Sequence, residues 1–172
     1  IAWLDSVSKN NLGRSIIFAG NHSKDNDLNF SINKSFLFPL IFKNLIINKY
    51  FLNLFNWLYY YYHKGKKKFK QNLNSFFYPL DKIRNWNKLY GKNGFIQIQL
   101  LIGNNENTDK TIYKILNFFN ERKQYSYLNT LKEFGVGNSN FLSFPNSGFT
   151  LAMDMKMNES LFEIYREFEE LI

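Results

Sequence analysis

The sequence contains no cysteine, which excludes disulfides and thiolate-bound metals and leaves the redox compartment open. Its two histidines, His22 and His63, are too few and too far apart for a histidine metal cluster, so no metal is expected. No apolar run reaches the ~20 residues that a membrane-spanning helix needs. Phe36 to Phe42 contains Pro39 and stops at Lys43-Asn44, and Tyr50 to Tyr62 is interrupted by Asn53 and Asn56. A dinucleotide loop is also missing. Gly135-Val136-Gly137 begins like one, but Asn140 stands where the third glycine belongs, and the strand-to-helix context is absent. No signal peptide is visible.

What is abundant is Asn, Lys, Ile, Phe and Tyr, all encoded by A+T-rich codons. The formal net charge of +8 is therefore read partly as codon bias, although it permits an anionic partner. A length of 172 residues suits one domain with a sizeable core. The chain starts at Ile1, and a helical pattern is still running at Leu171 and Ile172, so a piece of a longer polypeptide is expected.

Strands are expected at Ile1 to Val7, Arg14 to Ala19, Phe95 to Ile102, Tyr125 to Glu133 and Phe149 to Met155. The stretch Asn21 to Lys34 reads as a polar surface loop, Leu45 to Tyr62 as a helix, and Lys64 to Lys70 as a solvated, mobile basic loop. Two amphipathic helices are clearer. Asp109 to Arg122, capped by Asn107 or Thr108, carries Ile112, Ile115, Leu116 and Phe119 on one stripe. The second, capped by Asn158, carries Leu161, Ile164, Tyr165, Phe168 and Leu171, with Glu163, Glu167 and Glu170 largely outside that stripe. This order argues an α+β fold, a mainly antiparallel sheet with helices packed on one face.

Gln97 and Gln99 fall on one face of a strand at period 2. Side by side on an apolar strand, they either hydrogen-bond across the sheet or form a polar floor for a hydroxyl-rich ligand, since amides donate and accept together. Lys132, near Phe134, reads as a solvated edge residue or a ligand. Trp3 reads as core or pocket wall.

These residues lie in an ordered series. It runs Ala2-Trp3-Leu4-Asp5, Leu12-Gly13-Arg14, Phe76-Phe77-Tyr78-Pro79-Leu80-Asp81, Trp86-Asn87-Lys88-Leu89-Tyr90-Gly91 and Gly94-Phe95-Ile96-Gln97-Ile98-Gln99. Leu131-Lys132-Glu133-Phe134-Gly135, Leu142-Ser143-Phe144-Pro145, Gly148-Phe149 and Asp154 complete it. The series resembles the substrate domain of the decaprenylphosphoryl-β-D-ribose oxidases, FAD-linked enzymes of the vanillyl-alcohol-oxidase superfamily. Residues 20 to 70 match weakly.

The resemblance implies a two-domain enzyme in which another domain binds FAD and this one roofs the isoalloxazine ring. The implied reaction oxidises the ribose 2′-hydroxyl of a polyprenyl-phosphate sugar to a keto group, which a short-chain reductase partner then reduces. Gln97 and Gln99 would face the sugar or the flavin, Lys132 and Phe134 would line the substrate pocket, and Trp3 would stand at its wall. Ile98 replaces a tyrosine usual in the family and is expected to point to the opposite face. Phe77, Thr150 and Ala152 also depart from the family pattern, so pocket details there do not carry over. The family's flavin-contacting Tyr and Lys would follow residue 172. Nothing in these residues is a convincing base, so the chain alone is expected to be inactive.

Two alternatives accompany this reading. A soluble sugar, lactone or aldonate would use the same polar groups. An RNA-binding protein would use the basic charge and the aromatic-basic stretch Tyr59 to Lys70, but it leaves the ordered motifs unexplained, so nucleic acid is not the expected partner. If the substrate is lipid-linked, Tyr59 to Lys70 is expected to be a mobile flap that contacts the membrane surface and gates sugar entry.

Overall fold

The structure, a computed structural model, describes residues 1–24, 36–37, 48–65, 68–77 and 83–171. The loop expected at Asn21 to Lys34 lies mostly outside the described residues. So do Leu45 to Ile47, Lys66 and Lys67, and the turn Tyr78-Pro79-Leu80-Asp81.

Strands β1 (Ala2–Leu4), β2 (Ser15–Ile17), β5 (Phe95–Ile102), β6 (Ser126–Phe134) and β7 (Gly148–Lys156) form one sheet in the order β2-β1-β6-β7-β5, and every pairing is antiparallel. These are the five strands read from sequence. The alternation of apolar and polar residues fixes which side of each strand is buried. A separate two-residue parallel pair joins β3 (Phe36–Leu37) to β4 (Ile83–Arg84).

Helices α3 (Thr108–Glu121) and α4 (Leu161–Glu169) cover one face of the large sheet. Their stripes meet Leu4, Ile98, Ile102, Leu151, Met153 and Met155 in one core, which contains Ile115, Leu116, Phe119, Leu161, Ile164 and Phe168 as expected. Phe118 joins this core as well, its ring against Phe119 and Phe168. Ile98 is buried on this side, as its position between the two glutamines requires.

The capping details differ from the sequence reading. Asn107 occupies the cap of α3, but its side chain makes no capping bond there. Thr108 Oγ1 instead accepts from Asn105 N and donates within the preceding turn. Ser160, not Asn158, precedes α4, and the Asn158 amide donates to Gln124 Oε1 at 2.7 Å. Asn158 therefore ties the end of the β7 segment to the loop before β6 rather than capping the helix.

The remaining long helix, α1 (Lys49–His63), lies toward the other face at the β1–β2 margin. Asn48 caps it by accepting from Phe51 N at 2.8 Å. Tyr59 to His63 are its last residues, as the helix read at Leu45 to Tyr62 requires, so the first part of the flap expected at Tyr59 to Lys70 is helix. Tyr59 packs on Trp3 with ring centroids 4.9 Å apart, and the Arg14 guanidinium lies 4.7 Å over the Tyr60 ring. Asn56 is buried and donates to Asp5 Oδ1 at 2.8 Å. A short helix, α2 (Leu73–Phe77), and a 3-10 turn at Trp86–Tyr90 complete the described elements.

Candidate functional site

Residues directly opposite each other in an antiparallel pair project to the same side. Trp3 is opposite Thr130, Thr130 opposite Ala152, and Ala152 opposite Gln99. These four form one row across the sheet, on the side away from α3 and α4. The next row holds Leu128, Asp154 and Gln97, and on the opposite flank Lys132, Thr150 and Leu101 form another. Phe134, opposite Gly148, lies beyond. All five residues singled out from sequence, Trp3, Gln97, Gln99, Lys132 and Phe134, thus share the face turned away from α3 and α4, with α1 covering its Trp3 margin. Neighbouring rows are about 7 Å apart and neighbouring strands about 5 Å.

Small Thr130 and Ala152 stand mid-row between Trp3 and Gln99. Rings border the Gln97 end: Tyr90 stacks on Phe95 at 4.4 Å and meets Tyr127 edge-on at 5.7 Å. Trp86 packs on Phe95 from the 3-10 turn. At the other margin Tyr59 backs Trp3. An apolar cleft of about 500 Å³ lies elsewhere, on the helix side between Leu4, Leu12, Ile112 and Leu116, and contains none of the five residues.

The glutamines are not equivalent. Gln97 Nε2 donates to Asp154 Oδ1 at 2.7 Å, so the cross-sheet reading of this pair holds for Gln97. An ionised carboxylate only accepts, which fixes the amide with its nitrogen toward Asp154 and frees Oε1 to accept from a ligand. Gln99 is exposed opposite Ala152. Lys132 and Phe134 are half-buried.

Two polar groups on this face were not singled out from sequence. Asp154 is 1% exposed, and its Oδ2 is buried without a hydrogen-bond partner among the described residues; the same holds for Thr150 Oγ1, in a residue 2% exposed. Such an unsatisfied group costs about 1–3 kcal/mol, more when charged. Burial raises the Asp154 carboxyl above the ordinary carboxylate range, with the Gln97 bond opposing. Burial, with a smaller contribution from Asp154, also pushes the Tyr90 hydroxyl up. No group of metal-ligating side chains occurs among the described residues.

These shifts carry a testable stability signature. Between the ordinary aspartate pKa and its raised folded value, the folded chain holds a proton that the unfolded chain has released. Stability therefore falls as pH rises through that window. Asp154→Asn removes this penalty, so urea midpoints should favour the variant above the window and converge with the parent below about pH 4. A difference independent of pH would show that Asp154 titrates alike in both states.

No family model matches the chain. Decaprenylphosphoryl-beta-D-ribose oxidase of Mycolicibacterium smegmatis is 31% identical to it over 181 residues. The match spans 99% of this chain and 39% of that protein. The motif series read from sequence and this end-to-end similarity agree: the chain is related to that oxidase and spans well under half of its length.

Proposed function

We propose that this chain is the substrate-binding part of an FAD-dependent oxidoreductase that oxidises a sugar hydroxyl to a keto group, the 2′-hydroxyl of a polyprenyl-phosphate ribose. The observation that carries the reading is the placement of Trp3, Gln97, Gln99, Lys132 and Phe134 on the one sheet face turned away from α3 and α4, in a chain similar along 99% of its length to an oxidase of such a sugar.

The face fits a flat ring and a polyol lying against it. Exposed amides supply donors and acceptors without fixed charge, and Thr150 Oγ1 and Asp154 Oδ2 are polar atoms beneath that layer still lacking partners among the described residues. FAD, held mainly by another part of the polypeptide, would accept the hydride from the carbinol carbon. This chain's residues position the sugar. Gln97 Oε1, oriented by Asp154, accepts from one hydroxyl, and the Gln99 amide engages a second. The Lys132 ammonium donates to a hydroxyl or phosphate oxygen, and Trp3 and Phe134 bound the sugar from the side. Holding the donor carbon in register with the acceptor is what such a surface contributes to rate. A short-chain reductase acting on the keto product would be the natural partner.

In the intact flavin-loaded protein, Lys132→Ala should lower kcat/KM for the sugar phosphate at least tenfold, about 1.4 kcal/mol, while flavin content stays unchanged. Loss of flavin with normal kinetics in the residual holoenzyme would make Lys132 structural.

A further inference from the structure

Apart from Asn53 and Asn56, the interior residues of helix α1 are all apolar or aromatic, yet only one side of it is covered. Leu52 and Asn56 are buried, and Tyr59 and His63 pack together on that inner side. Outward lie Tyr50, Leu54, Trp57, Leu58, Tyr61 and Tyr62, each between 49% and 84% exposed. Their spacing of three and four residues places them on one continuous arc. A helix hydrophobic on every side is ordinarily buried.

Charge around this helix is segregated as well. From residue 28 to residue 80 the sequence has no Asp or Glu but has Lys34, Lys43, Lys49, Lys64, Lys66, Lys67, Lys68 and Lys70. The other 14 basic residues equal the 14 acidic ones, so this segment carries the whole net charge of +8. Codon bias enriches lysine throughout a chain; it does not exclude acids from one stretch. Lys49 and Lys64 stand at the two ends of α1, and exposed Lys68 and Phe69 follow.

We propose that the outer face of α1 is a docking surface for an anionic lipid bilayer, lying in the plane of the headgroups. Trp and Tyr rings favour that depth, the leucines enter the acyl boundary, and the lysines at and after the helix ends meet anionic headgroups. The surface differs from the flap read from sequence. Tyr59 and Tyr60 face inward, and the outward residues begin a full two turns earlier, at Tyr50. No described helix is long and apolar enough to cross a membrane, which fits contact in the plane of the surface. Clustered lysines would also suit RNA, but a broad arc of exposed leucine and aromatic side chains without arginine favours lipid. The inference stands apart from the oxidase reading, although a lipid-linked substrate would give it a use.

Flotation of the intact protein with phosphatidylcholine vesicles, with and without 30% phosphatidylglycerol, tests the proposal. Binding should be at least tenfold stronger with the anionic lipid and should weaken between 0.1 and 0.5 M salt. Leu54→Glu/Leu58→Glu, two exposed changes, should reduce it at least tenfold at an unchanged unfolding midpoint. Hydrogen exchange on the parent protein gives an independent reading: residues 49–63 should gain protection only when anionic vesicles are added. Exchange of these residues left unchanged by anionic vesicles, relative to the folded helix without them, would overturn the proposal. Protection by poly(U) and not by vesicles would overturn it in favour of RNA.

Discussion

Asp5→Ala should destabilise the protein by about 3–5 kcal/mol, the range for removing one partner of a buried ion pair. Asp5 is 0% exposed and holds four groups at once. Its Oδ1 accepts from Val7 N and Ser8 N, both at 3.1 Å, and from Asn56 Nδ2 at 2.8 Å, while Oδ2 pairs with Arg14 Nη2 at 3.1 Å. Backbone bonds from Asp5 N to Arg14 O and from Gly13 N to Asp5 O close the same turn. Alanine would leave a half-buried guanidinium and three donors without their acceptor. Asp5→Asn keeps an acceptor for Val7, Ser8 and Asn56 but loses the charge and the acceptor that faces Arg14, so its loss should be smaller than that of alanine. Because Asn56 belongs to α1, Asp5→Ala should also loosen that helix. Urea midpoints for the two variants, with the rate of tryptic cleavage after Lys64, measure both effects. Equal losses for Ala and Asn would assign the energy to the ion pair alone.

Phe168→Ala should cost a similar 3–5 kcal/mol, through a cavity instead of a broken network. Phe168 is 0% exposed and lies in the last turn of α4, its ring 4.8 Å from Phe119 and 5.4 Å from Phe118. With the Arg122–Glu167 ion pair, it joins α4 to α3 in the core that also holds Met153 and Met155 of β7. At roughly 2–4 °C per kcal/mol for a protein of this size, the Tm should fall by about 10 °C. Phe162 on the same helix is 57% exposed, and its replacement by alanine should change stability by less than about 0.5 kcal/mol. Thermal melts of the pair separate burial from helix propensity, because both substitutions make the same chemical change on one helix.

The parts of the fold legible in sequence are those fixed by local periodicity. Gln97-Ile98-Gln99 announces a strand with two unlike faces, and the spacing of Leu161, Ile164 and Phe168 announces one helical stripe. Long-range pairings gave no such signal. Asp5 and Arg14 stood in two separate motifs, and nothing local indicates that they form one ion pair or that Asn56 completes it. Asp154 was named only as a motif residue, because its meaning depends on the register that sets it opposite Gln97, 57 positions away. Helix α1 was harder to read because its aromatic residues surround the axis, leaving no polar side to mark the exposed face. The shared face of Trp3, the glutamines, Lys132 and Phe134 needed both kinds of information. Alternation divides each strand's residues into two sets, but only cross-strand register shows which sets coincide.

The central claim, that the sheet face turned away from α3 and α4 presents a lipid-linked sugar to a flavin, is tested most directly by anaerobic stopped-flow absorbance of the intact protein. On mixing with a polyprenyl-phosphate ribose, the flavin band near 450 nm should bleach in a single turnover. Lys132→Ala should slow that bleaching at least tenfold at equal flavin content. A protein that purifies without flavin and cannot be loaded with it, or a flavin that the sugar phosphate leaves oxidised, would contradict the account.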